Sequence, residues 1–132
     1  MFTLPYPPSI NHYWRNYRGR MVISREGRTY RQDVCSLLAT AGMGGKPPGD
    51  TPLALAMDAF PPDRRRRDLD NIQKPLLDAL EHAGVFEDDG QIDLLITQRR
   101  EPDKPGRVEV DVQAMPLCRC PLCGAPIHPE NN

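Results

Sequence analysis

Leu53-Ala-Leu-Ala-Met-Asp-Ala-Phe60, Pro61-Pro-Asp-Arg-Arg-Arg-Arg67 and Asp68-Leu-Asp-Asn-Ile-Gln-Lys74-Pro-Leu-Leu-Asp-Ala-Leu-Glu-His-Ala-Gly84 follow one another without a break, and the fold is read from them. The first block is apolar almost throughout and is closed by two prolines, which predicts a strand largely covered on both faces. The second is a loop of arginines. In the third, Ile72, Leu76, Leu80 and Ala83 recur at helical spacing with Leu77 beside them. Gly84 is placed to end that helix in the left-handed region. The helix entry has two readings. A tight first turn from Asp70 to Gln73 leaves Pro75 in the second turn, with one backbone hydrogen bond forfeited. Alternatively, Pro75 is itself the first helical residue. The first reading is preferred, and in it Asp70 can also cap the helix, whose N-terminal dipole favours negative charge.

Working outward, Phe2 to Tyr6 reads as a short strand ending at Pro7-Pro8, and Met21 to Ile23 as one arm of a hairpin. Ser24 is a suitable cap for a first long helix, in which Tyr30, Val34, Leu37, Leu38 and Ala41 share a face and Gly42 supplies the stop. Met43 to Pro52 is a loop by composition. A further strand is expected from Gln91 to Arg100. Arg107 to Ala114 alternates Val108, Val110 and Val112 with Glu109, Asp111 and Gln113, as a half-exposed strand does. The expected fold is a single small α+β domain with one mixed β-sheet and two main helices, over residues 1–114. Residues 115–132 form a separate cysteine-containing tail.

The chain has 132 residues and 15 prolines, enough for one modest core with stiff connections. No signal peptide or membrane span is recognisable, so the expected location is cytoplasmic. Net charge is −1, but it is unevenly spread. Six arginines stand against Glu26 and Asp33 between residues 10 and 33, whereas eight acids stand against two arginines between residues 75 and 103. Basic segments beside an acidic one suit a cleft that binds a polyanion and cations together.

The chemistry concentrates in the arginine loop and the residues after it. In extended chain, Asp68 and Asp70 point to one side, and their mutual repulsion is relieved by a hard divalent cation such as Mg²⁺. Lys74 lies one helical turn after Asp70, within reach of a shared anion. Asp88-Asp89-Gly90 offers a third carboxylate at a strand edge. Arg64, Arg65, Arg66 and Arg67 can grip phosphates with forked donors. Arg15, Arg18 and Arg20, interleaved with aromatic residues, can do the same or serve as a platform for exposed bases, with Trp14 partly buried.

These residues resemble the RusA family of Holliday-junction resolvases, small phage- and prophage-associated endonucleases. The resemblance covers roughly residues 2 to 114. It includes Leu4-Pro-Tyr-Pro-Pro-Ser-Ile-Asn11, Arg64 to Lys74, Leu77-Asp-Ala-Leu80, Ala83-Gly84, Glu87-Asp-Asp89 and Gln91. It implies metal-binding aspartates at Asp68, Asp70 and Asp89, a catalytic Lys74, and Mg²⁺ with Mn²⁺ as a substitute. It further implies a homodimer that resolves branched DNA, four-way junctions above all, by paired nicks during recombination and repair. Two other readings stand beside it: a catalytically inert module that binds branched DNA, and a DNA-associated protein acting through its cysteine-rich tail. The intact set of Asp68, Asp70, Lys74 and Asp89 argues against both, since pure binding gains nothing from carboxylates that repel phosphate.

The tail lies outside the resemblance. Cys120-Pro-Leu-Cys123-Gly124 has the form of half a zinc site. Cys118 and His128 can complete it within one chain, two subunits can pool their cysteines, or the tail is frayed and metal-free. Cys35 reads as a buried helix residue.

Overall fold

In the computed structural model, which describes residues 1–41 and 46–128, the apolar run at Leu53–Phe60 is the central strand, β4. It pairs in parallel with β5 (Ile92–Arg99) and antiparallel with β6 (Arg107–Ala114). β1 (Phe2–Pro5) pairs antiparallel with the far side of β6, giving a mixed sheet in the order β1-β6-β4-β5. Registers of Leu55 with Val112, Met57 with Val110 and Ala59 with Val108 collect the apolar side chains on one face. That face carries the core. The opposite face pairs Ala54 with Gln113, Ala56 with Asp111 and Asp58 with Glu109, so β4 is dry on one face and partly wet on the other. The expectation of a strand largely covered on both faces holds fully for the core face and for Ala54, while Ala56, Asp58 and Phe60 on the other face are half-buried, and Asp58 pairs there with Arg100 at 3.1 Å.

Three helices accompany the sheet. The one-turn α1 (Ile10–Tyr13) leads into a hairpin of β2 (Trp14–Tyr17) and β3 (Arg20–Ile23). Arg18 and Gly19 take positive φ angles of 51° and 77°, and Asn16 Oδ1 accepts the Gly19 N–H at 3.1 Å. Successive left-handed residues match the twist of a tight hairpin. The hairpin does not join the main sheet, so the structure has a second, two-stranded ribbon where one sheet was expected.

Helix α2 (Arg25–Thr40) starts where Ser24 Oγ accepts the Gly27 N–H at 2.9 Å. Tyr30, Val34 and Leu38 are buried, whereas Leu37 is 45% exposed and Ala41 lies outside the helix on the surface. The apolar stripe is therefore narrower than the spacing suggested. The expected stop at Gly42 falls outside the described residues.

Helix α3 (Asp70–His82) bridges β4 and β5 and buries Ile72, Pro75, Leu76, Ala79 and Leu80. Pro75 lies inside it, in agreement with the preferred entry. Gly84, at φ 82°, ends it: the Val85 N–H reaches Leu80 O and the Gly84 N–H reaches Glu81 O, each at 3.0 Å. Both bonds satisfy carbonyls that the helix end would otherwise leave open. Asp89–Gln91 then forms one 3-10 turn before β5. Among the described residues, no helix is long and apolar enough to cross a membrane.

Candidate active site

Asp70 opens α3 and Lys74 follows one turn later, so both stand on one exposed face of the helix. The path from Asp68 to Asp70 is not extended. Leu69 already has helical angles (φ −63°, ψ −35°), and the N–H groups of Asn71 and Ile72 bond to the carbonyls of Asp68 at 3.2 Å and Leu69 at 3.3 Å. A helical turn, rather than strand alternation, sets the two carboxylates. Asp70 makes no capping hydrogen bond, because the helix has begun before its side chain can act as a cap. It keeps the favourable place in the first turn.

Asp89 is brought to this face from the other end of α3. Its N–H bonds to Glu81 Oε1 at 3.0 Å, tying the acidic loop to the last turn of the helix. Gln91, only 6% exposed, holds the loop from below. Its Oε1 accepts the N–H groups of Glu87 at 3.0 Å and Asp88 at 3.1 Å, while its Nε2 donates to Pro48 O and Thr51 O. The Asp89 carboxyl has a raised proton affinity. Loss of solvent contributes most, then a hydrogen bond and the charge of Asp88, then the charge of Asp78, with Lys74 opposing. Lys74 and Asp89 therefore stand in each other's field.

The acids that crowd closest are Glu81, Asp88 and Asp89, with one oxygen of each within 4.8 Å of the others. Among the described residues, neither Asp68 nor Asp70 belongs to such a group of three. Glu81 and Asp78 were not singled out from sequence. Their signal was present: Lys74, Asp78 and Glu81 are spaced by four and three residues, which places all of them on the helical face that carries Asp70.

The arginine loop borders the site. Arg67 pairs with Asp63 at 2.6 Å and Arg64 with Glu101 at 3.5 Å, whereas Arg65 and Arg66 are exposed and have no acidic partner among the described residues. Two open clefts of about 910 and 870 Å³ flank Asp68, the first lined by Tyr6, His12 and Asn71, the second by Asp63 and Arg99, and both by Arg65–Arg67. Lys74 Nζ lies 5.4 Å from the centre of the half-buried Trp14 ring. Arg15 and Arg18 gather around the exposed Tyr17 ring at 5.4 and 5.2 Å, and Arg20 is exposed beside them.

A half-buried latch supports this surface. Asp78 accepts the Tyr13 hydroxyl and the Arg31 guanidinium, whose Nε and Nη2 lie at 2.9 and 2.8 Å. Burial and the neighbouring Asp78 push the Tyr13 phenol well above its ordinary range. α1, α2 and α3 are thereby joined at one point, directly before the hairpin begins.

The tail residues Cys118, Cys120, Cys123 and His128 are all described, and Cys35 is partly buried on α2. All four thiols are free.

Residues 5–113 match the family model described as Endodeoxyribonuclease RusA. The chain is 39% identical over 117 residues to the crossover junction endodeoxyribonuclease RusA of Escherichia coli strain K12, covering 86% of this chain and 92% of that protein. It is 39% identical to the protein of the same description from Enterobacteria phage 82, with the same coverage. The phage HK97 counterpart is 40% identical over 111 residues, covering 84% of this chain and 91% of that protein.

Proposed function

The chain belongs to the RusA family of endodeoxyribonucleases, and on that premise we propose that it resolves four-way DNA junctions by hydrolysing phosphodiester bonds on the α3 face. The reading is supported by the place of Lys74: Asp70 stands one turn before it on α3, its charge acts on Asp89, and Arg65 and Arg66, without an acidic partner among the described residues, line the clefts beside Asp68.

Asp68, Asp70 and Asp89 are the metal-holding set in this reading. Carboxylate oxygens are hard donors that suit Mg²⁺, with Mn²⁺ as a substitute, and Asp88 and Asp78 add their charges to the loss of solvent that raises the proton affinity of Asp89. Bound there, the ion would supply an activated water and offset charge on the scissile phosphate. The chain's own groups do the rest. Lys74 donates to a phosphate oxygen as charge develops on it. Arg65 and Arg66 grip flanking phosphates, and the hairpin arginines hold a neighbouring arm. The face of Trp14 restrains the Lys74 ammonium by a cation–π contact.

Two opposed strands must be cut in concert, so two copies of the chain act as a homodimer on the two-fold symmetric junction. The work belongs in the cytoplasm, where phage and bacterial DNA recombines. The test is cleavage of synthetic four-way junctions and matched linear duplexes, with and without Mg²⁺. Paired, metal-dependent nicks confined to the junction are expected, and equal cutting of linear duplex would overturn the proposal.

A further inference from the structure

The segment after β6 takes no part in the site described above, and it is ordered around its cysteines. The N–H of Cys120 bonds to Ala125 O at 2.7 Å and that of Ile127 to Cys118 O at 2.9 Å, so the chain folds back as a hairpin with Arg119 opposite Pro126. It docks on the end of β6. Gln113, 5% exposed, accepts the Arg119 N–H at 3.2 Å and donates to Arg119 O at 3.1 Å, while the Arg119 guanidinium pairs with Asp111. The frayed-tail alternative does not describe these residues.

Yet no side chain from Met115 to His128 is buried, and Leu122 and Ile127 are 55% and 39% exposed. A two-stranded unit without a core of its own is marginal in water, and small units of this kind are stabilised by cross-links or metals. The tip has the local geometry for a metal. Gly124 adopts φ 76° and returns its N–H to Cys120 O at 2.8 Å. That turn carries the chain back between Cys120 and Cys123, the two-residue spacing at which a pair of thiolates can share one soft cation.

We propose that Cys118, Cys120 and Cys123 hold one thiophilic divalent ion of the zinc class per chain, as a structural clasp separate from the carboxylate site. Pairing of Arg119 with Pro126 places Cys118 and Cys120 on one side of the hairpin, with Cys123 in the turn beyond them. The three sulfurs do not all lie within 4.8 Å of one another here, and Cys118 must leave its 3.5 Å contact with Gln113 Oε1 to join the other two. By the same alternation His128, next to Ile127, falls on the opposite side, and the proposal leaves it out of the ligand set. The fourth position is left to a solvent ligand. Each thiol releases its proton to solvent as the metal–sulfur bond forms.

The test uses the full chain, reduced and stripped with chelator, then titrated with Zn²⁺ alone in excess Mg²⁺ and read by competition with a chromophoric chelator. One ion per chain is expected. Cys120→Ser and Cys123→Ser should each weaken binding by more than about 100-fold, beyond the loss typical of outer-shell changes. Cys118→Ser should weaken it measurably, and His128→Ala should leave it unchanged. Cobalt substitution should give a thiolate-to-metal charge-transfer band that falls with each serine. Circular dichroism of every variant serves as the folding control. Absence of tight zinc, one ion per two chains, loss of the ion in His128→Ala, or a Cys120–Cys123 disulfide under the same reducing conditions would each overturn the proposal.

Discussion

Replacing Asp78 tests how the cutting surface is supported. The carboxylate of Asp78 serves the Tyr13 hydroxyl and two nitrogens of Arg31, and both charged side chains are about a quarter exposed, at 26% and 24%. A hydrogen bond to a charged group contributes about 1.5–3 kcal/mol. The contacts here share one acceptor and are not additive, and partial exposure weakens the ionic part. Asp78→Ala should therefore destabilise the domain by about 2–3 kcal/mol, with the Tyr13 O–H left without its acceptor while its oxygen still accepts from Arg31 Nε at 3.1 Å. In urea, with a slope of about 2 kcal/mol per molar, the midpoint should fall by about 1–1.5 M. The decisive assay is a double-mutant cycle with Arg31→Ala, read by urea unfolding. Once Asp78 is gone, removing Arg31 should cost little more, giving a coupling energy of about 1–2 kcal/mol. Single-mutant losses that add to within about 0.5 kcal/mol would refute the latch.

Arg65→Ala with Arg66→Ala should weaken junction binding across sequences and reduce the salt slope of log affinity by about 2, while bound junctions are still cut; an unchanged slope in filter binding would remove these arginines from the phosphate contacts. Asp89→Asn should stabilise the metal-free protein. A carboxyl whose proton affinity is raised on folding disfavours the folded state above its folded pKa and contributes nothing below its unfolded pKa. Unfolding midpoints in chelator should thus show the wild type losing stability relative to Asp89→Asn as pH rises through that interval, and parallel curves would contradict the crowding. Gly27→Ala would set a Cβ 2.4 Å from Tyr13 O and 2.8 Å from Ile23 Cγ1. Overpacking of this kind should cost about 1–3 kcal/mol by thermal unfolding, and a neutral result would mean that α1 and α2 yield easily.

Most elements were legible because each has a strong local cause. Leu53–Phe60 and Arg107–Ala114 are bounded by proline or turn residues and carry strand patterns, and Ser24 and Gly84 punctuate helices by hydrogen bonds that their own residue types dictate. What was not legible depends on partners distant in sequence. Leu37 fits the helical period, yet among the described residues it is left 45% exposed. The expected second face of β4 meets the acids of β6, which a strand read alone does not reveal. The separation of the β2–β3 hairpin from the main sheet is a matter of packing, not of propensity. At the site, spacing and the resemblance together pointed to Asp68, Asp70, Lys74 and Asp89 as candidates, but the Glu81–Asp89 bond and the role of Gln91 as a loop clamp arise only when α3 and the acidic loop meet. The extended-chain argument for Asp68 and Asp70 failed because Leu69 had already entered the helix.

Asp70→Asn removes one negative charge from the first turn of α3 while keeping the size of the side chain. Junction binding by gel shift should be retained or tightened, and junction cleavage in Mg²⁺ should fall to background. Full-rate cleavage by Asp70→Asn would show that the chemistry does not reside on this helix face.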